Sequence, residues 1–189
     1  MKELRFPFTE KAVRSLKAGE AVSLSGLVLT GRDKFHKFFA DGHRLPVDLR
    51  NGALYHCGPV IVKVGADWQV KAAGPTTSVR ENPYEPELIT KTGLRIIIGK
   101  GGMDAATLKA MQRYGCVYLQ AVGGAAALAA AAVKRVVGVT FLKEFGAAEA
   151  CWHLELQDFR CIVAMDAHAR SLFDEVRRDS AQRLNRLIG

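Results

Sequence analysis

The sequence predicts an α/β domain, and three observations carry that prediction. A nearly unbroken apolar run at 94–98 precedes a helix-patterned segment and a second apolar run at 116–121, the order of a βαβ unit. Val60–Val64 and the segment 68–72 flank Gly65-Ala66-Asp67 as the arms of a β-hairpin do. The 189 residues, 49% hydrophobic and 24% charged, are enough to bury a core. No repeat, linker or low-complexity tract marks a second unit, so one domain over 1–189 is expected.

Residues 1–20 mix polar and apolar positions and are read as an entry segment with a short helix. Residues 22–30 alternate and then turn fully apolar, a strand that ends at Gly31. Asp33 is an N-cap candidate for a short helix that puts Phe35, Phe38 and Phe39 on one core-facing side. A turn-rich stretch with Asp41-Gly42 and Asn51-Gly52 leads to the hairpin. Past the turn at 74–80, Asn82-Pro83-Tyr84-Glu85-Pro86 feeds a short helix near 87–92. The run 94–98 is a buried parallel strand. Asp104 caps a helix over Ala105–Tyr114, and Gly115 ends it. Residues 116–121 form a strand, Gly123-Gly124 a turn, and the small-residue segment 125–134 a helix able to pack closely on a sheet. Strands are expected near 136–142, 151–156 and 161–164, and a closing helix over about 171–187.

Composition narrows the function classes. No apolar stretch approaches a membrane span, the Ala-rich run at 125–133 being far too short, and no membrane partner is expected. Met1-Lys2-Glu3-Leu4-Arg5 has no apolar core of a secretory signal, so a cytoplasmic location is expected. Cys57, Cys116, Cys151 and Cys161 lack any Cys-x-x-Cys or His/Cys pairing, which argues against a self-contained metal or iron–sulfur site and for buried free thiols. A net charge of +8 would suit nucleic acid. The basic residues are dispersed, however, and the densest group, Arg177, Arg178, Arg183 and Arg186, is interleaved with acidic residues on a helix. The excess charge equally suits an anionic substrate or an acidic partner subunit.

Three cations stand where strands hand over to turns or helices: Arg32, Arg80 and Lys100. Arg80 closes the turn Gly74-Pro75-Thr76-Thr77-Ser78-Val79-Arg80, and Lys100 lies in Ile98-Gly99-Lys100-Gly101-Gly102 ahead of a helix N-terminus. Glycines such as Gly99 and Gly101 let backbone N–H groups approach a ligand, and Thr76, Thr77 and Ser78 add hydroxyls. The set is a receptor for a small anion, carboxylate or phosphate, and a dicarboxylate would use all three cations. For Ser78 local backbone capping is the expectation. A P-loop is excluded, because no Gly-x-x-x-x precedes Gly99 and no Ser or Thr follows Lys100. His36, four residues after Arg32, is a candidate to orient a carboxylate, as is His168; His43, His56 and His153 are read as structural.

Taken in order, Thr30-Gly31-Arg32-Asp33-x-x-His36, Gly74-Pro-Thr-Thr-Ser-x-Arg80, Gly99-Lys-Gly-Gly-Met103, Gly123-Gly-Ala-Ala-Ala-Leu128 and Met165-Asp-Ala-His168 resemble the β subunit of class I iron–sulfur fumarate hydratases and L(+)-tartrate dehydratases. In single-chain members the same region is the C-terminal domain. The resemblance implies a swivelling β/β/α domain that closes over a site shared with an α subunit. It also implies that the partner's three cysteines hold a 4Fe-4S cluster, with no metal ligand on this chain, and that the assembly is a higher hetero-oligomer. Carried over by position, Arg32, Arg80 and Lys100 bind the carboxylates of a C4 dicarboxylate, and Thr76 exchanges the carbon-bound proton. His36, Thr77, Gly99 and Gly101 are supporting positions. Val79 and Glu81 flank Arg80 where many relatives carry Gly or Met before it and Met after it, which alters how Arg80 is aimed. Gly101-Gly102-Met103 is nearer the two-subunit enzymes. The leading activity is reversible hydration of fumarate to (S)-malate, the alternative is dehydration of L(+)-tartrate to oxaloacetate, and mesaconate-like diacids are more distant. Outside the enzymes, the rival is a basic module for nucleic acid or an acidic protein; the lack of interleaved aromatics counts against it, and no nucleic-acid partner is expected.

Overall fold

Strands buried on both faces need a cover on each side, and the apolar runs at 94–98 and 116–121 receive one in the computed structural model, which describes residues 1–188. The elements are β1 (Lys2–Arg5), α1 (Glu10–Arg14), β2 (Ala21–Thr30), α2 (Asp33–Ala40), β3 (Ala53–Tyr55), the hairpin β4 (Val60–Val64) and β5 (Asp67–Ala72), and a 3-10 turn (Ser78–Glu81). There follow α3 (Glu85–Thr92), β6 (Ile96–Gly99), α4 (Ala105–Tyr114), β7 (Val117–Gln120), α5 (Ala126–Ala131), β8 (Val133–Thr140), α6 (Leu142–Phe145), β9 (Cys151–Met165) and α7 (Leu172–Ile188).

Strands β1, β2, β3, β6 and β7 are parallel neighbours in that order, with Leu54 opposite Ile97 and Ile97 opposite Tyr118. Strand β9 runs antiparallel to β2 along one edge and to β8 and then β7 along the other. Thus β2, β3, β6, β7 and β9 form a closed ring. Alternation along the parallel strands separates two cores. Ala53, Tyr55, Ile96, Ile98, Val117 and Leu119 share one core with Trp152, Leu154 and Val163 of β9, and Trp68 and Val70 of the hairpin pack against it. On the opposite face, Leu54, Ile97 and Tyr118 pack with Phe35 of α2, Leu88 and Ile89 of α3, and Met111 of α4. The result is a mixed α/β architecture with a sheet-rich core.

The βαβ unit and the hairpin stand where the sequence put them. Asp104 Oδ1 accepts from the Thr107 backbone N–H at 2.9 Å, and Gly115 ends α4 at φ 70°. Other expectations need correction. Strands β1 and β3 fall in stretches read as an entry segment and a turn, since a strand of three or four residues is too short to show a period. The two strands expected at 151–156 and 161–164 are one; Asp158, at φ 56°, is a kink within it. Helix α5 stops at Ala131, because Val133 pairs with Leu156 and tertiary pairing overrides alanine's helix preference. Strand β8 accordingly begins at Val133 and ends at Thr140, and Leu142 belongs to α6. Helix α3 begins at Glu85, ahead of the expected 87. Asp33 is not the cap of α2: Arg32 holds that position in extended backbone. Phe38 leaves the core that Phe35 enters and packs with His43, Phe141 and Phe145, with ring centroids 4.5, 4.8 and 5.9 Å away.

Candidate functional site

The two glycine-set turns meet through their backbones. His56, just past β3, donates its N–H to the Ile98 carbonyl at 2.8 Å, and its own carbonyl accepts the Thr76 N–H at 2.6 Å. Lys100 N–H then donates to the Thr76 carbonyl at 3.3 Å, and Ser78 N–H donates to the Lys100 carbonyl at 3.0 Å. Thr77 and Lys100 are thereby paired as in a parallel ladder. Residues 22 to 24 apart in sequence are laced side by side at the carboxyl end of β6. Gly101 lies at φ 85°, a left-handed conformation that suits glycine, and its N–H reaches Gln120 Oε1 at 3.3 Å. Gly99 is required for a different reason: a Cβ there would fall on Ser78 Oγ and 2.9 Å from the Tyr118 hydroxyl.

Arg32 and Arg80 meet through an acid. Arg80 Nη2 pairs with Asp33 Oδ2 at 2.7 Å, and Arg32 Nη2 lies 3.9 Å from the same oxygen. The Arg32 guanidinium also pairs with Glu149 at 3.2 Å and donates to the Ala148 carbonyl at 3.2 Å. It lies over Gly58, where a Cβ would collide with it, two residues past the His56 that holds Thr76. Arg32 Nε is buried and has no hydrogen-bond partner among the described residues. Arg80 is half-exposed, and Lys100 makes no ion pair among the described residues.

Of the residues predicted from sequence, Thr76, Thr77, Gly99, Lys100 and Gly101 share one wall; Arg32 and Arg80 are joined through Asp33. His36 is turned into the interior, where its Nδ1 donates to the Arg32 carbonyl at 2.8 Å. It does not face the cations' open side as a carboxylate orienter would. His168 does not join the site either: its Nε2 bonds the Arg14 carbonyl at 2.8 Å.

Behind the wall lies a polar group that sequence reasoning missed. His36 Nε2 donates to Glu85 Oε2 at 2.9 Å, and His56 Nε2 lies 3.4 Å from the same oxygen. Across its ring, His56 Nδ1 bonds Ser78 Oγ at 2.9 Å, and Ser78 Oγ bonds the Tyr118 hydroxyl at 2.9 Å. Glu81 Oε2 stands 3.4 Å from His36 Nδ1. All six side chains are buried. His56 and Ser78, read as structural and as a local cap, are therefore linked side chain to side chain. No spacing in the chain connects positions 36, 56, 85 and 118; the weak signal was Glu81 beside Arg80 where a neutral residue is usual. His36, His56 and Glu85 each offer a donor atom within 4.8 Å of the others, a grouping that the expectation of no metal ligand on this chain did not foresee.

Burial disfavours charge on His36, but Glu85's charge and hydrogen bond, with Glu81 behind, raise its pKa to about 9. Burial likewise opposes charge on Glu85, yet His36's charge and hydrogen bond, with His56 close by, hold its pKa down to about 2. For His56 burial dominates and lowers the pKa. Burial lifts Glu81 to about 7, His36 opposing only in part. Linkage gives the signs. The stabilisation from His36 is complete below its unfolded value of 6.5 and fades as pH rises through about 9. That from neutral Glu81 is complete below 4.5 and fades as pH rises through about 7. Glu85 contributes above 4.5 and loses its contribution as pH falls toward about 2. The lowered pKa of His56 adds stability that is present above 6.5 and is lost as pH falls below it. The thermal midpoint is therefore expected to fall on the acid side through Glu85 and His56, and to fall from about pH 7 toward pH 9 through His36. Glu81→Gln is expected to raise the midpoint at pH 7 relative to that at pH 5, as read by calorimetry across that range; an unchanged profile would contradict the assignment of Glu81.

Comparison with known proteins bears on this geometry. The profile of the family described as Fumarase C-terminus matches residues 2–176. A putative fumarate hydratase class I of Geobacillus stearothermophilus is 47% identical over 183 residues, covering 96% of this chain but 35% of that protein, so the chain spans about a third of its length. A putative L(+)-tartrate dehydratase subunit beta of Methanocaldococcus jannaschii is 45% identical over 186 residues, 96% of this chain and 95% of that protein. The L(+)-tartrate dehydratase subunit beta of Escherichia coli (strain K12) is 31% identical over 189 residues, 99% and 94% of the two chains. With a family match over nearly its whole length and near full-length relatives, the chain belongs to the Fumarase C-terminus family.

Proposed function

We propose that this chain is the β subunit of a hydro-lyase that interconverts fumarate and (S)-malate in a site completed by an α subunit. The observation that carries the proposal is the ladder joining Thr76 to Lys100, with Arg32 and Arg80 gathered around Asp33 beside it. Residues 1–189 act as one swivelling β/β/α domain, in the cytoplasm and within a higher hetero-oligomer. The Arg32 and Arg80 guanidiniums grip carboxylate oxygens as planar donor forks, and Lys100 adds a compact charge from the facing turn. In the direction of dehydration, a carbon-bound proton and the hydroxyl on the neighbouring carbon leave together. The cations stabilise charge that develops on the carboxylate beside the deprotonated carbon. Thr76 exchanges that proton: its backbone is held on both sides, its hydroxyl has no partner among the described residues, and nearby cations favour the alkoxide that proton transfer needs.

The 4Fe-4S cluster of such enzymes does not fit this chain's thiols. Cys57 and Cys161 lie in one core, Cys116 and Cys151 in the other, and all four are buried and unpaired. Burial pushes Cys57, Cys151 and Cys161 up to about 12 and Cys116 well above its usual value, so they are thiols rather than thiolate ligands. The cluster is assigned to the α subunit. Dehydration of L(+)-tartrate is the second reading, favoured by near full-length matches to subunits named for that reaction. Matching length speaks to subunit architecture.

The test is to co-express the chain with its cluster-bearing α partner, reconstitute without oxygen, and assay fumarate and L-tartrate side by side. Turnover of fumarate at a higher kcat/KM than tartrate is expected, and the reverse order would select the second reading. Absence of both, together with nucleic-acid binding that falls steeply with salt, would favour a basic binding module instead.

A further inference from the structure

We propose that Tyr118, Ser78, His56 and Glu85 are positioning residues: with His36 they form a buried polar spine that sets the three cations relative to one another from behind. The inference rests on the proposed function for its substrate and on geometry alone for the spine.

Each cation-bearing segment is tied to the spine at its backbone. Ser78 is the hub: its N–H holds the Lys100 carbonyl at 3.0 Å, while its Oγ bonds both His56 Nδ1 and the Tyr118 hydroxyl at 2.9 Å. His56 holds Thr76 through its carbonyl at 2.6 Å. Glu85 receives His36 at 2.9 Å and faces His56 at 3.4 Å, and His36 holds the Arg32 carbonyl at 2.8 Å. Because that carbonyl only accepts, His36 Nδ1 carries a proton, and the opposite ring nitrogen donates to Glu85. The members come from β7, the 3-10 turn, the segment after β3, α3 and α2, so no single local element positions the clamp. His56 Nε2 and Glu85 Oε1 are buried without a hydrogen-bond partner among the described residues, so the two halves of the spine meet at the 3.4 Å approach of His56 to Glu85, and loss of one member is felt by the others.

A passive core would lose stability on mutation and nothing more. Positioning predicts another outcome. Tyr118→Phe removes one oxygen and keeps the ring packed; Ser78→Ala and Glu85→Gln cut the spine at two other points. In the enzyme assembled with its α subunit, each is expected to raise KM for the diacid about 3- to 10-fold. The double variant Tyr118→Phe/Glu85→Gln is expected to lose less than the product of the single effects, since the first break already uncouples the spine. In parallel, nitrogen NMR of the full chain is expected to show the His36 ring and the Arg32 and Lys100 amides shifting in Tyr118→Phe.

KM and kcat unchanged in Tyr118→Phe and Ser78→Ala, with only the melting temperature lowered, would overturn the inference, as would strictly multiplicative effects in the double variant. Should the wild-type assembly turn over neither diacid, the proposed function fails by itself. The NMR arm still decides the spine, because shifts confined to the neighbours of residue 118 sink it whatever the substrate.

Discussion

Lys100→Ala is expected to lower kcat/KM for the diacid by about 10²- to 10³-fold in the assembled enzyme, the range seen when one preorganised donor to a developing charge is removed. The loss should appear without unfolding, because the Lys100 side chain makes no ion pair among the described residues and its backbone bonds to Thr76 and Ser78 survive the substitution. A thermal midpoint near the wild-type value combined with lost turnover would therefore be the signature. Lys100→Arg is expected to rescue poorly, since a broad planar fork cannot replace a compact charge set in a glycine turn. Retention of more than half the wild-type turnover in Lys100→Ala would remove the residue from the site.

Gly99→Ala should be as damaging and for the opposite reason. Its added methyl has no room, because Ser78 Oγ occupies the space and the Tyr118 hydroxyl lies 2.9 Å away. Both neighbours are held in the buried network and cannot swing aside as a surface side chain would. Overpacking of this kind costs about 1–3 kcal/mol, and the relief open to the chain is to part the Lys100 strand from the 74–80 turn. Stability and turnover are expected to fall together, read as a lower urea midpoint and a loss in kcat that saturating substrate does not restore. Gly101→Ala is the control: a Cβ there meets only Thr77 Cγ2 at 3.8 Å, and the left-handed φ of 85° adds strain of about 1–2 kcal/mol without breaking the network. Equal midpoints for Gly99→Ala and wild type would show that the contact with Ser78 yields.

The parts of the fold that were legible in the sequence are those whose signals are local. The runs of β6 and β7 are apolar on both faces, and the helix between them carries its own start and stop in Asp104 and Gly115. The wall of Thr76 and Lys100 was legible for the same reason, each turn being a contiguous motif with its cation inside it. What failed is set by distance along the chain. Asp33 has the chemistry of an N-cap, but Arg80, 47 residues away, takes its carboxylate. His56 and Ser78 looked structural one at a time, and they became a network once β3, the 3-10 turn and α3 converged. In β9, the polar pair Gln157-Asp158 imitates a turn, whereas the strand carries it as a kink because β2 pairs on both sides of it.

Asp33 has one more consequence. Its carboxylate, 2.7 Å from Arg80 and 3.9 Å from Arg32, is an anion held between the two arginines proposed to bind substrate. It relieves repulsion between two neighbouring guanidiniums, and it also sets a threshold that any incoming carboxylate must pass. A monoacid that displaces it exchanges one ion pair for another and gains little. A diacid that reaches Lys100 with its second carboxylate gains a contact for which Asp33 offers no rival. Under the proposed function, discrimination between one charge and two would rest on this ion pair in the resting site.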